Sequence, residues 1–128
     1  MKPSDRDRPV RIANCSGFFG DRLSAAKEMV EGAIGADGID VLTGDWLAEL
    51  TMLILHKQRL RNPEAGYAST FLLQMEQVLT TCIERGIKVV TNAGGLNPSG
   101  CADRVRALAD TLGLRVNVAH IEGDDLLP

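Results

Sequence analysis

The sequence predicts an α/β fold: a parallel sheet of about four strands with flanking helices, in a Rossmann-like three-layer arrangement. Short β-rich runs alternate with segments of helical periodicity, and each run ends in residues that are typical of turns. Strands separated by helices favour parallel pairing through right-handed crossovers. The chain of 128 residues has the size of one domain with one core, which we place at residues 10–128.

The first strand and helix follow a charged lead-in over residues 1–9, which we expect to be flexible and solvated. Val10–Ala13 is an apolar run that predicts a strand, and residues 14–21 then break regular structure with two glycines. Asp21 is placed to cap a helix whose apolar residues keep helical spacing. This helix is expected to stop in the glycine-rich stretch Gly32–Gly38.

The second strand is followed by two predicted helices. Ile39–Leu42 forms the strand, and Thr43–Asp45 has the composition of a turn. One helix is predicted from about Trp46 to Arg61 and the next from about Gly66 to Arg85. The later helix carries the clearest amphipathic stripe of the chain, which indicates that it packs on the core.

The last predicted elements alternate in the same way. Ile87–Thr91 is a β-rich strand, and Asn92–Gly100 forms a loop with three glycines. A helix is predicted from about Cys101 to Leu112, and Leu114–Ile121 supplies a fourth strand. The repetition of this pattern is the main support for a parallel sheet.

The composition excludes several partners. A net charge of -3 and an aromatic content of 4% disfavour nucleic acid, which binds through basic and stacking side chains. Three cysteines without a C-x-x-C pair, and a start without a signal-like segment, predict a reducing cytoplasm. The longest apolar run, Trp46–Leu55, is too short to cross a bilayer, so no membrane association is expected.

The loops that follow the strands are the predicted site. Ligands of open parallel sheets bind outside the carboxyl ends of the strands, where such loops gather. The four loops are 14–21, 43–45, 92–100 and 122–125, and they are rich in Gly, Asn, Asp or Ser. The candidate ligand-binding residues are Ser16, Gly17, Gly20, Asp21, Gly44, Asn92, Gly94, Gly95, Asn97 and Gly123.

Asn92–Gly100 is the sharpest of these loops. Its glycines would let backbone N–H groups approach a ligand, and it precedes a helix N-terminus, which favours negative charge. We interpret it as a cradle for a phosphate, a carboxylate or a thioester oxygen, with a tight structural turn as the alternative. The spacing fits neither the dinucleotide glycine fingerprint nor the P-loop, so no nucleotide cofactor is implied.

Four side chains are candidate catalytic groups: Asp45, Glu49, Asp124 and Cys101. The Cys101 thiol is predicted in the first turn of a helix, where its pKa would be lowered, although a buried inert thiol is the simpler interpretation. Asp45 and Glu49 would share a helix face and suit acid/base chemistry or a divalent metal, unless Asp45 is an N-cap. Asp124 belongs to an acidic cluster with Glu122 and Asp125, and such a turn can also be simply solvated.

Four motifs stand in order along the chain: SGFFGDR at 16–22, GDWLAELTM at 44–52, NAGGLNP at 92–98 and EGDDL at 122–126. Together they resemble the N-terminal part of the acyclic terpene utilization AtuA family, from about Val10 to the last residue. The resemblance implies a place in the bacterial breakdown of citronellol- and geraniol-type acids as CoA thioesters. It assigns no catalytic role to any residue. Members look longer than this chain, so the resemblance also implies a longer architecture, with an oligomer or a partner chain completing the site.

Two functions remain open at this point. The chain is an enzyme, or the substrate-binding part of one, that acts on acyl or carboxylate compounds, including CoA thioesters. Alternatively, it is a non-catalytic binding or assembly module whose loops meet a partner chain. A nucleotide-binding domain is disfavoured by the missing glycine fingerprint.

Overall fold

The computed structural model describes residues 8–32 and 38–127, which form three strands and four helices. In chain order these are β1 (Ile12–Asn14), α1 (Ala25–Glu31), β2 (Val41–Gly44), α2 (Glu49–Arg61), α3 (Ser69–Arg85), β3 (Lys88–Thr91) and α4 (Pro98–Thr111). The strands pair in the order β1-β2-β3, and both pairs are parallel. The predicted α/β class and parallel sheet are confirmed. Most of the predicted lead-in and the middle of the predicted glycine-rich stop lie outside the described residues.

The two faces of the sheet differ sharply in burial. Ala13, Leu42 and Val89 stand in one register row, and all three belong to the core or pack against it. Successive side chains of a strand point to opposite faces, so Ile12 and Val90 point away from that core. These two side chains are 64% and 60% exposed, and the face that carries them is open to solvent.

The helices that pack on the sheet lie on one side of it. α1 packs against β1, β2 and α3, α3 packs against β3, and α4 packs against α3, while α2 packs against no strand. Because the sheet is built in sequence order, right-handed crossovers place successive helices on the same face. The described part of the chain therefore has two layers, and the predicted three-layer Rossmann-like arrangement is not found in it. None of these helices is long and apolar enough to cross a membrane.

The predicted fourth strand is absent from the described residues. Leu114, Val116 and Val118 are half-buried and alternate with exposed neighbours, as the sequence pattern indicates. However, the segment pairs with no strand, and the Val118 carbonyl accepts a 2.9 Å hydrogen bond from the Arg106 side chain of α4. Alternation specifies a buried and an exposed side but supplies no pairing partner, so the count of about four strands is corrected to three.

The core is centred on α3. Its apolar stripe is buried as predicted, except that Ile83 is 38% exposed. Phe71 meets the fully buried Trp46 edge to face at 6.2 Å between ring centroids. Gln74, also fully buried, donates to the Arg22 carbonyl at 3.2 Å and accepts from the Cys15 thiol at 3.4 Å. This amide therefore ties the loop after β1 to the central helix.

Candidate functional site

Three of the four predicted loops meet at the carboxyl edge of the sheet. The Asp45 N–H donates to the Ser16 carbonyl at 2.9 Å, which joins the loops after β1 and β2. The Asn92 side chain donates to Asp45 Oδ1 at 2.7 Å and accepts from the Trp46 N–H at 2.8 Å. These contacts bring Ser16, Asp45 and Asn92 into one continuous hydrogen-bonded edge, as the topology predicts.

Asp45 does not share a helix face with Glu49. α2 begins at Glu49 itself, and its N-cap is Ala48, whose backbone is extended. The predicted carboxylate pair and the alternative of Asp45 as the N-cap are therefore both wrong in their geometry. The reason is the bond from Asn92, which ties residues 45 and 46 to the loop after β3. Asp45 Oδ1 is used in this contact, while Oδ2 has no hydrogen-bond partner in the described part of the chain.

A shallow concavity of about 490 Å³ opens beside Asp45 on the uncovered face of the sheet. Its lining residues come from the ends of all three strands and the first loop residues: Asn14, Thr43, Gly44, Asp45, Val90, Thr91 and Asn92. Gly44 itself is buried, and a Cβ at its position would lie 2.8 Å from Trp46 Nε1. This glycine is therefore required by the packing of the tryptophan.

The loop after β1 is held closed by its own aspartate. The Asp21 carboxylate accepts the Gly17 N–H at 3.0 Å and the Arg22 N–H at 2.7 Å. These two backbone bonds, the one from Gly17 foremost, hold the pKa of Asp21 below its usual value. Asp21 does not cap α1, because the N-cap is Ser24. Gly20 lies inside the closed loop, at its turn.

Five backbone donors of the loop Asn92–Gly100 are already used within the protein. The N–H groups of Ala93, Gly95, Leu96, Asn97 and Gly100 each donate to an oxygen of the protein. The glycines are also packed rather than open: a Cβ at Gly94 would lie 2.8 Å from the Pro98 Cα. These bonds favour the tight structural turn over the anion cradle that the glycine content suggested.

Asn97 and Pro98 explain how α4 starts. Asn97 is the N-cap and accepts the Gly100 N–H at 2.9 Å, and Pro98 occupies the first turn. The Asn97 amide also donates to the carbonyls of Glu64 and Ala65 at 3.0 and 3.1 Å. Asn97 thus ties α4 to the segment before α3, and both polar atoms of its side chain already take part in these bonds.

Cys101 is not an activated thiol. Cys101 is the fourth residue of α4, its N–H donates to the Asn97 carbonyl at 3.0 Å, and its side chain is buried in the core cluster. Burial raises the pKa of the Cys101 thiol to about 11, which is opposite to the lowering predicted from a helix start. The simpler interpretation, a buried inert thiol, is the one that the structure supports.

The fourth predicted loop lies at a separate concavity. Residues 122–127 face α2 and the loop 95–98 across a space of about 440 Å³, whose lining includes Gly123 and Asp124. Asp125 pairs with Arg59 at 3.3 Å. The structure therefore divides the predicted composite site into two. No group of three or more His, Cys, Asp or Glu side chains within residues 8–32 and 38–127 could hold a metal ion.

Comparison with known protein families shows which family the chain belongs to. The sequence profile of the family described as "Acyclic terpene utilisation family protein AtuA" matches residues 10–128. The chain belongs to the AtuA family. Neither a curated protein nor a solved structure gave a match.

Gln74 and Arg59 hold loops of this AtuA-family chain in place, and neither was among the predicted site residues. Gln74 lies within the apolar stripe of α3, and a polar residue in that stripe was the signal that could have identified it. Arg59 lies in the last turn of α2, and its guanidinium donates to the Leu96 carbonyl at 2.6 Å. Only the fold brings this arginine to the loop that the sequence analysis singled out.

Proposed function

We propose that this AtuA-family chain is the substrate-binding part of an enzyme that acts on acyl or carboxylate compounds of acyclic terpene utilisation. The observation that carries the proposal is the 2.7 Å bond between Asn92 and Asp45. It fixes one carboxylate oxygen and leaves the other at the carboxyl edge of a parallel sheet, where such sheets bind ligands. A carboxylate held in one orientation can act as a general base or accept a ligand hydroxyl.

The concavity beside Asp45 offers polar groups at the strand ends and apolar surface farther along the open face. Val90 is its one apolar side chain, against the polar Asn14, Thr43, Asp45, Thr91 and Asn92. The next register row of the same face carries Ile12, Val41 and Lys88. No Lys or Arg lines this concavity, and phosphate groups are bound in proteins mainly by such cations or by free backbone N–H groups. We therefore assign the acyl part of a ligand to this site, and the phosphates of a CoA thioester would lie outside it.

A titration of ¹⁵N-labelled protein with citronellate, geranate and their CoA thioesters tests the proposal. We expect saturable shifts of the amide signals of Thr43–Asp45 and Asn92. Asp45→Asn should weaken binding of the CoA thioesters, whose pantetheine N–H groups can donate to Asp45, by about tenfold or more. It should not weaken binding of the free acids, whose carboxylates have no proton to donate. Glu49→Gln is the matched control and should bind as the parent does. Absence of saturable shifts with every one of these ligands would reject the ligand class.

A second candidate function, an assembly module, is favoured by the uncovered face of the sheet. Parallel sheets are normally covered on both faces, whereas Ile12 and Val90 are exposed here. A partner chain, or a second copy, would bury this face. In sedimentation velocity over a range of concentrations, Val90→Lys should abolish association. Leu60→Lys on α2, where the side chain is 72% exposed, should leave it intact, and identical behaviour of both variants and the parent would reject this candidate.

A further inference from the structure

A cation that is oriented in advance, Arg59, stands beside the concavity of about 440 Å³ next to α2. The walls of this concavity include Met52, Leu96 and Pro98. The guanidinium of Arg59 donates to the Leu96 carbonyl at 2.6 Å, while the stem of its side chain lies beside Gly66. An arginine fixed in this way loses little freedom when it binds an anion.

Asp125, the present partner of Arg59, does not make the best contact that a carboxylate can make with the guanidinium. Both terminal nitrogens reach the same oxygen, Asp125 Oδ2, at 3.4 and 3.3 Å. The other oxygen, Oδ1, accepts the Leu127 N–H at 3.1 Å instead. A free carboxylate could offer both oxygens to the guanidinium in parallel, at about 2.7–2.9 Å. Asp125 therefore occupies the position of an anionic ligand without making the strongest contact available there.

The segment that carries Asp125 is tied down by few interactions. No backbone–backbone hydrogen bond joins residues 115–127 to any other described residue. Besides the contact with Arg59, the segment is held at Val118 by Arg106, and His120 pairs with Glu122 inside it. Elements held by so few bonds open at low free-energy cost.

Displacement of residues 122–127 would remove the negative charge from the lining of the concavity. Glu122, Asp124 and Asp125 all belong to residues 122–127 and would leave together. The lining residues that remain are Met52, Gly95, Leu96, Asn97 and Pro98, so the Arg59 guanidinium would stand beside a mainly apolar surface. The Leu127 N–H foremost, and then Arg59 and His56, lower the pKa of the Asp125 carboxyl. The buried Nδ1 of His56 has no hydrogen-bond partner among the described residues.

We propose that this concavity is a carboxylate-binding site anchored by Arg59, and that Asp125 occupies it as a tethered stand-in for the ligand. The ligand class is a monocarboxylate with a short branched apolar tail. It competes with residues 122–127 for the guanidinium, so the segment sets the affinity of the site. The proposal uses none of the residues of the Asp45 concavity, so either site can fail alone.

A titration of ¹⁵N-labelled protein with isovalerate, and separately with its uncharged analogue isovaleramide, tests the proposal. Isovalerate should shift the amide signals of Leu96 and Leu127, and isovaleramide should not. Asp125→Asn should tighten isovalerate binding by about two- to fivefold, because it removes a competing exposed ion pair. Arg59→Lys keeps the charge but not the two parallel donors, and it should weaken binding several-fold.

Asp124→Asn is the matched control, because it removes one charge from the same segment without touching Arg59. Equal tightening by this variant and by Asp125→Asn would overturn the stand-in role and leave only a general charge effect. Equal shifts from isovalerate and isovaleramide would overturn a carboxylate site. Shifts confined to Thr43–Asp45 and Asn92 would also overturn it, while supporting the proposed function. Well-dispersed spectra of each variant show that the fold is kept.

Discussion

Replacement of Gly95 by alanine tests how α2 is attached to the rest of the protein. Gly95 has φ +53, and a Cβ there would lie 2.5 Å from Leu55 Cδ1 and 2.9 Å from the Gly66 carbonyl oxygen. The left-handed backbone costs an L-residue about 1–2 kcal/mol, and forcing a methyl group into packed surroundings costs about 1–3 kcal/mol more. We therefore expect Gly95→Ala to lower the free energy of unfolding by about 2–5 kcal/mol.

Two further variants separate these contributions. Gly86 has φ +66 with no atom near the position of its Cβ, so Gly86→Ala should cost only the backbone part, about 1–2 kcal/mol. Leu55→Ala should cost about 2–5 kcal/mol by itself, since the side chain is fully buried. It should also remove the contact with Leu55 Cδ1, while the contact with the Gly66 carbonyl oxygen stays. The double variant with Gly95→Ala should therefore be more stable than the sum of the single losses predicts, by about 1 kcal/mol.

Urea unfolding followed by circular dichroism measures all four variants against the parent. The packing argument fails if Gly95→Ala and Gly86→Ala cost the same. It fails equally if the losses of Gly95→Ala and Leu55→Ala add to within about 0.5 kcal/mol, which is the behaviour of independent sites.

Three further predictions concern charge and pH. Asn92→Asp would place a second carboxylate against Asp45, so this variant should be less stable than the parent near pH 7 and should regain stability as the pH falls towards 4. Asn92→Ala should instead lose about 1–3 kcal/mol in urea unfolding at both pH values. Burial raises the pKa of Cys82 and of Cys101 to about 11, so their contribution to stability is complete below the ordinary value of about 8.5 and is lost as the pH rises towards 11. The urea midpoint of the parent should therefore fall over that pH range, and that of Cys101→Ala should fall by less. A midpoint that does not change with pH would contradict this prediction. The Arg8 side chain and then the Arg11 N–H hold the pKa of Asp40 well below its usual range, so the stability difference between the parent and Asp40→Asn should be full above about pH 4 and shrink as the pH falls below it.

Much of the fold could be predicted because its signals are local. The stripe of α3 and the β-rich run before Asn92 each specify an element within a few residues. α4 begins three residues earlier than predicted, because Asn97 caps the helix and Pro98 fits its first turn; both are known start signals that the glycine-rich context concealed. The missing fourth strand is a different kind of error, since alternation cannot show whether a sheet edge is available.

The candidate site was predictable only in outline. Strand order and direction bring the loops together, so their meeting could be foreseen. The role of Asp45 could not, because a side chain 47 residues away, Asn92, decides its conformation. The glycines of the loop are equally ambiguous in sequence: close packing and ligand approach both require a missing side chain. At Gly94 and Gly95 the packing partners are Pro98 and Leu55.

Because only one face of the sheet is packed against the core, the two faces differ in how they tolerate substitution and labelling. A change of volume at Leu42 disturbs a packed interior, whereas a change of charge at Val90 meets only water in the isolated chain. Fluorophores or spin labels attached at positions 12 and 90 would therefore report on whatever approaches the uncovered face. The three native cysteines are buried, so a thiol introduced there should react selectively without their removal.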